Sequence, residues 1–427
     1  MSPTELDSEL SRRVRDLVRQ DFAPRFGELQ GQWASHPLWD QLRRLGTELW
    51  IDTGDMDAAA KIWTREFSAL TTNNTLLNKE IQKGAYDGLM VEAAKLLKDF
   101  PHLTERERRL EMAFILNARH GLRLVERFDA YVSVEEHTDL AMDVERAVAY
   151  ARRYYAICPQ RFIVKIPFTA AGLLATRKLA AEGIPINHTL GFSARQNYVI
   201  TLIGRPQYVN VFLGRLNSFV ADNTLGDGLY VGEKATLASQ AAVRRLRKAK
   251  GTPTRQIAAS FRQGRQVGDL AGVDVMTIPP NVAAEFRDAA GDPQKVQDCT
   301  GRQYAPKFTP QAAAAGLDTL WDVEDKLVAA AEALQQEDLE HFTPQELIQF
   351  FAHHGCGDFL VDWTTQQRAT SAKEGKIPRL ENWKDLLAGG RIGLDALINL
   401  GGLSSFTADQ NDMDRRVADV LKTRKSS

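Results

Sequence analysis

Short apolar runs alternate along this chain with stretches in which apolar residues recur every three or four positions. The runs are TELWID (47–52), ALTTN (69–73), FDAYVSVE (128–135), RFIVKIP (161–167), IPINHTLGF (184–192), YVNVFLG (208–214), RQIAASF (255–261) and VDVMTIPP (273–280). The most continuously apolar of them, RFIVKIP, predicts a strand buried on both faces, as in a parallel sheet wrapped by helices. The stretches between runs predict those helices: Leu140, Val144, Ala147, Val148 and Ala151 make one stripe, and Leu173, Leu174, Leu179 and Ala180 another. Eight strands separated by helices are what a (β/α)8 TIM barrel of the α/β class requires, with a doubly wound open sheet as the alternative. Polar residues stand at the C-terminal end of nearly every run. In a barrel those ends converge on one pocket, whereas an open sheet would gather them only at its switch point, so the barrel is the expected fold.

The flanks follow a different pattern. Residues 1–44 predict a helical lead-in, with Leu6, Leu10, Val14 and Leu17 at helical spacing, then Trp33 and Trp39 in a segment broken by Pro37. The barrel is expected over 45–340. From Gln303 onward the pattern is helical only, and the stripe Trp321, Val323, Leu327, Ala330 and Leu334 reads as closing the barrel. Residues 341–427 predict a C-terminal helical extension packed on it. FTPQELIQFF, ENWKDLLAGG and IGLDALINLGGL read there as short helices with glycine breaks, and the basic tail MDRRVADVLKTRKSS as a fraying end.

Composition narrows the partners. Lys plus Arg total 54 against 55 Asp plus Glu, so no global field draws in nucleic acid or an anionic membrane, and any anionic ligand must be held locally. The three cysteines, Cys158, Cys299 and Cys356, show neither zinc spacing nor a disulfide framework, which suits a reducing compartment. The N-terminus is polar and acidic rather than signal-like, and no apolar run approaches membrane-spanning length. The expectation is a cytoplasmic monomer or homodimer without nucleic-acid or membrane partners.

Lys165 stands out within RFIVKIP. An unpaired ammonium in such a run is costly, so the group reaches solvent, pairs with an acid, or sheds its proton and becomes a nucleophile able to form a Schiff base with a ketone. The other strand ends supply Asp52, Asn73, Glu135, Asn187 with Thr189, Asn210, Arg215, and Ser260 with Arg262. Singly, each has a plainer reading: Asp52 and Asn73 could cap the following helices, Glu135 could cap or lie on the surface, and the arginines could be surface residues. Asn187 and Thr189 alternate with His188, so those two face inward in a barrel and His188 packs against the helices. Together the set offers an amine, two carboxylates and several amides around one cavity. Arg215, Arg262 and Ser260 form a phosphate clamp where barrels commonly bind phosphate. A phosphorylated, polyhydroxylated carbonyl substrate would suit them.

The series WIDTGD, LTTNNTLL, VKIP, GIPINHTLGFSARQ, VFLGR and ASFRQ, in that order and at compatible spacing, resembles the transaldolase family over roughly residues 45–335. The resemblance implies a (β/α)8 barrel that transfers a dihydroxyacetone unit between sugar phosphates without metal or organic cofactor. It implies Lys165 as the Schiff-base lysine and Asp52 as acid/base for cleavage beside the C4 hydroxyl. Glu135 and Thr189 match the pair holding a proton-shuttling water, while Asn73 and Asn187 match groups that orient the three-carbon unit. Arg215, Ser260 and Arg262 match the phosphate site. Phe212 stands where transaldolases carry Phe and the related fructose-6-phosphate aldolases carry Tyr, which points to transfer rather than free cleavage. Two positions depart from the pattern: Asn74 replaces a usual Pro, and Asn210 replaces a Ser that contacts substrate. A class I aldolase, a transaldolase-like enzyme acting on a modified sugar phosphate, and a non-catalytic sugar-phosphate-binding protein are the alternative readings.

Overall fold

The computed structural model describes residues 8–423. Eight parallel strands close in sequence order: β1 (Glu48–Asp52), β2 (Phe67–Thr71), β3 (Tyr131–Glu135), β4 (Phe162–Pro167), β5 (Ile186–Thr189), β6 (Tyr208–Phe212), β7 (Arg255–Ala259) and β8 (Val275–Ile278). β8 pairs back onto β1, and at least one helix follows every strand. The fold is therefore the expected (β/α)8 barrel with helical extensions at both ends.

Alternation along β4 shows what holds it. Phe162, Val164 and Ile166 join Leu49, Ile51, Val132 and Val134 in the layer between strands and helices, each burial being worth roughly 1.5–3 kcal/mol. Ile163 belongs with Trp50, Ala69, Ile257 and Val275 in the barrel interior. Toward the N-terminal ends of the strands Trp50 stands edge-on to Tyr208 and Arg255 pairs with Glu48. Lys165 shares the face of Ile163 and so points inward. It lies in register beside Glu135 on β3 and Asn187 on β5.

Several boundaries differ from the expected ones for local reasons. Phe128 ends the long helix Glu105–Phe128 instead of opening β3, because Asp129 adopts the left-handed conformation that terminates it. Pro37 does not break a helix but starts one, Pro37–Arg44, at the position where a missing N–H does no harm. Leu10 and Val14 bury as expected, with Val18, whereas Leu6 lies outside the described residues. The stripe from Trp321 does not close the barrel, which the β8–β1 pairing already does. Its helical part, Asp325–Leu334, packs outside on the helix Ala194–Ile203.

The largest difference is at the C-terminus. The segment expected as short helices with glycine breaks ends in one 30-residue helix, Leu394–Thr423. It runs across the face formed by the C-terminal ends of the strands. Asn399 donates to the carbonyls of Phe168, after β4, and Leu190, after β5, at 3.0 and 2.9 Å. Farther along, Thr75 donates to Asp409 and Arg416 pairs with Asp87 at 2.8 Å. The stretch expected to fray is helical through Thr423, with Met413 and Val420 buried. Among the described residues no helix is long and apolar enough to cross a membrane.

Candidate active site

The strand ends and the C-terminal helix enclose a cleft of about 620 Å³. Lys165 reaches into it from β4, 3% exposed. Its Nζ donates to the Thr72 carbonyl at 3.0 Å and stands 3.6 Å from Glu135 Oε2. Burial raises the pKa of Glu135, opposed by Lys165, the Asn74 N–H and Arg215. Asp52, at the end of β1, accepts from Thr71 Oγ1 at 2.7 Å, and that hydroxyl lies 2.6 Å from Thr277 Oγ1. Burial raises Asp52 as well, against the pull of Lys165, Thr71 and Arg262. One amine thus sits with two carboxyl groups whose protons are held more tightly than in water.

Amides line the next side. Asn210 Nδ2 donates to Asn187 Oδ1 at 3.0 Å, and Asn187 Nδ2 donates to Ser133 Oγ at 3.1 Å. The Asn210 Oδ1 has no hydrogen-bond partner among the described residues, leaving an acceptor beside the cleft. Asn73 both lines the cleft and caps the helix Asn74–Gln82, accepting from the Leu76 N–H. Asp52 caps nothing; Asp55 starts the helix that follows β1.

The cations gather opposite. Arg215 projects from the first turn of Leu213–Asp222, and the loop after β7 brings Ser260 and Arg262 to it. That closeness depends on Gly214, where a Cβ would stand 2.2 Å from the Ser260 carbonyl oxygen and 2.8 Å from Arg262 Cγ. Ser260 itself takes a φ of 66°, which is uncommon outside glycine. Arg215 is 6% exposed, and its Nη1 has no hydrogen-bond partner among the described residues. Burial pushes its guanidinium down to about 10, helped by Arg262 and opposed by Glu135 and Asp409. Burial lowers Arg262 too, with Asp52 opposing. Buried Arg215 and the more exposed Arg262 thus bring two guanidiniums without a contacting carboxylate to one side of the cleft.

The sequence matches the family described as Transaldolase/Fructose-6-phosphate aldolase over residues 49–346. The chain belongs to that family. It is 30% identical to a transaldolase of Aliivibrio salmonicida over 293 residues, which cover 66% of this chain and 88% of that protein. It is also 28% identical to the transaldolase of Methylococcus capsulatus, over 63% of this chain and 83% of that protein. A transaldolase-type aldolase is thus the class of enzyme to which the geometry must answer.

Within this transaldolase-family barrel, nine of the eleven residues singled out from the sequence line the cleft: Asp52, Asn73, Lys165, Asn187, Asn210, Phe212, Arg215, Ser260 and Arg262. Glu135 and Thr189 do not line it. Both are buried behind it, and Glu135 Oε2 and Thr189 Oγ1 have no hydrogen-bond partner among the described residues. His188 lies on the helix side, its Nδ1 2.9 Å from Thr176 Oγ1, and burial pushes it down to about 3. Sequence reading missed Thr71 and Thr277, which differ in no visible way from ordinary strand threonines. It also missed Lys376, Ser405, Phe406 and Asp409, which line the cleft from the C-terminal segment. Among the described residues no group of three or more His, Cys, Asp or Glu side chains is arranged to hold a metal ion.

Proposed function

We propose that this protein is a transaldolase that moves a dihydroxyacetone unit between sugar phosphates, converting sedoheptulose 7-phosphate and glyceraldehyde 3-phosphate to erythrose 4-phosphate and fructose 6-phosphate. The observation that carries the reading is the one lysine borne on a described barrel strand, Lys165, held with Glu135 and Asp52 beneath two arginines that meet no carboxylate. In this reading Lys165 Nζ adds to the donor's C2 carbonyl, and loss of water gives an imine. Glu135 Oε2, which faces Lys165 without a hydrogen bond, and the Thr189 hydroxyl, which has no hydrogen-bond partner among the described residues, hold the water that shuttles protons during that loss. Asp52 takes the proton from the C4 hydroxyl as the C3–C4 bond breaks, which releases the aldehyde and leaves an enamine on Lys165. The acceptor aldehyde then adds to that enamine, and the steps run in reverse. Asn73 and Asn187 orient the three-carbon unit, while Arg215, Ser260 and Arg262 take the phosphate. Neither metal nor organic cofactor enters the scheme.

Phe212 supports transfer over free cleavage, because its ring lines the cleft and offers no hydroxyl to protonate the enamine. The free acceptor on Asn210 favours one variation, a donor or acceptor with an additional hydroxyl or amine to satisfy it. The test is reduction with borohydride after mixing with fructose 6-phosphate, followed by intact-mass analysis and peptide mapping. A reduced dihydroxyacetone unit on Lys165, diminished when erythrose 4-phosphate is present and absent in Lys165→Ala, is the expected result. Full turnover in Lys165→Ala would refute the imine mechanism.

A further inference from the structure

The helix Leu394–Thr423 lies outside the matched span of the family, yet one face of it forms a wall of the cleft. Gly402, Phe406 and Asp409 follow at the spacing that places residues on one side of a helix. All three meet the phosphate side of the cleft. Phe406 holds its ring centroid 5.2 Å from the Arg215 guanidinium carbon, while Phe212 stands 5.4 Å away from the same carbon. A Cβ at Gly402 would come within 3.0 Å of Arg215 Nη1, so the missing side chain lets the helix approach. Asp409 lines the cleft and attracts Arg215 from a distance, its carboxylate fixed by the Thr75 hydroxyl.

We propose that Phe406 is a positioning residue for Arg215, fixing its guanidinium between two aromatic rings so that the C-terminal helix sets how strongly the enzyme prefers phosphorylated over unphosphorylated sugars. This rests on Arg215 binding the substrate phosphate, as argued above. A guanidinium held by the π systems of two neighbouring rings needs no carboxylate to stay in place. A carboxylate would fix it equally well but would cancel the charge the phosphate needs. Without the Phe406 ring, the long side chain gains rotameric freedom, and binding an anion must restrict it again.

The test uses fructose 6-phosphate as donor and compares erythrose 4-phosphate with erythrose as acceptor, reading the ratio of the two kcat/KM values. Phe406→Leu, which keeps bulk without a π face, is expected to lower that ratio roughly tenfold, and Phe406→Tyr to retain it. A wild-type ratio in Phe406→Leu, or equal loss in Leu and Tyr, overturns the proposal. Arg215→Met separates this failure from failure of the underlying reading. If that variant collapses the ratio while Phe406→Leu does not, only the positioning role falls. If Arg215→Met leaves the ratio unchanged, the phosphate site itself is misassigned, and the proposal falls with it.

Discussion

Two arginines, Arg195 and Arg215, occupy matching places in the barrel. Each sits in the first turn of the helix that follows a strand, each is at most 6% exposed, and each meets the C-terminal helix. Their surroundings differ completely. Arg195 gives Nε and Nη2 to Asp395 at 2.8 and 2.6 Å and Nη1 to Asp358 at 2.7 Å, while Ser193 donates to the same Asp395. Burial works against its charge, but Asp395 and Asp358 carry its pKa upward. Arg215 has two phenylalanine rings and no carboxylate in contact, and its pKa falls. Desolvating a cation costs several kcal/mol unless a partner offsets it. At Arg195 the fold supplies the partner, which makes the arginine a latch between barrel and helix. At Arg215 the fold supplies none, as the proposed phosphate site requires.

The largest expected effect is on the latch. Asp395→Ala leaves Arg195 with one partner out of two and strips Ser193 of its acceptor, so it should lower unfolding free energy by about 3–5 kcal/mol in urea titrations. Arg215→Met should do the opposite, raising stability by about 1 kcal/mol or more, because an uncompensated buried charge is replaced by an apolar chain. Inorganic phosphate should raise the melting temperature of the native protein and not that of Arg215→Met, since only a native-state site shifts the equilibrium. Comparable destabilisation by the two substitutions would erase the distinction between latch and ligand site.

The same contrast explains what could be read from the sequence. Lys165 was legible because β4 is otherwise continuously apolar, and a charge in such a run has few physical outcomes. Arg215, Ser260 and Arg262 were legible because strand ends of a barrel converge. The C-terminal helix was not. Its barrel-facing positions are Asp395, Asn399, Gly402, Phe406, Asp409, Met413, Arg416 and Val420, at alternating spacings of four and three. Most of these are polar or glycine, because the surface they meet is made of loop carbonyls, buried charges and Arg215 rather than apolar side chains. A search for apolar periodicity therefore finds no stripe, and Gly401 and Gly402 read as a break although the absence of a side chain at Gly402 is what admits Arg215. Pro37 misled in a similar way, since proline marks a helix start as readily as an interruption.

The smallest expected effect extends the comparison to the acids. Asp395 is held by a paired guanidinium, whereas Asp52 accepts from the Thr71 hydroxyl and contacts no cation, and burial raises its pKa. Between the ordinary carboxylate range, about 4 in the unfolded chain, and the raised native value, the folded protein keeps a proton that the unfolded chain has lost. Stability contributed by Asp52 is therefore greatest at acidic pH and declines as pH rises through that window. Asp52→Asn keeps an oxygen for Thr71 and removes the titration. It should be more stable than the native protein at pH 7 by about 1 kcal/mol or less, and the gap should close as pH falls toward 4. Urea midpoints measured for the pair from about pH 3 to 7, a range that starts below the ordinary carboxylate pKa, decide the matter. A gap that does not change with pH, or an asparagine variant that is less stable throughout, would mean that Asp52 is compensated inside the fold as Asp395 is, and that its charge is not held in reserve for the substrate hydroxyl.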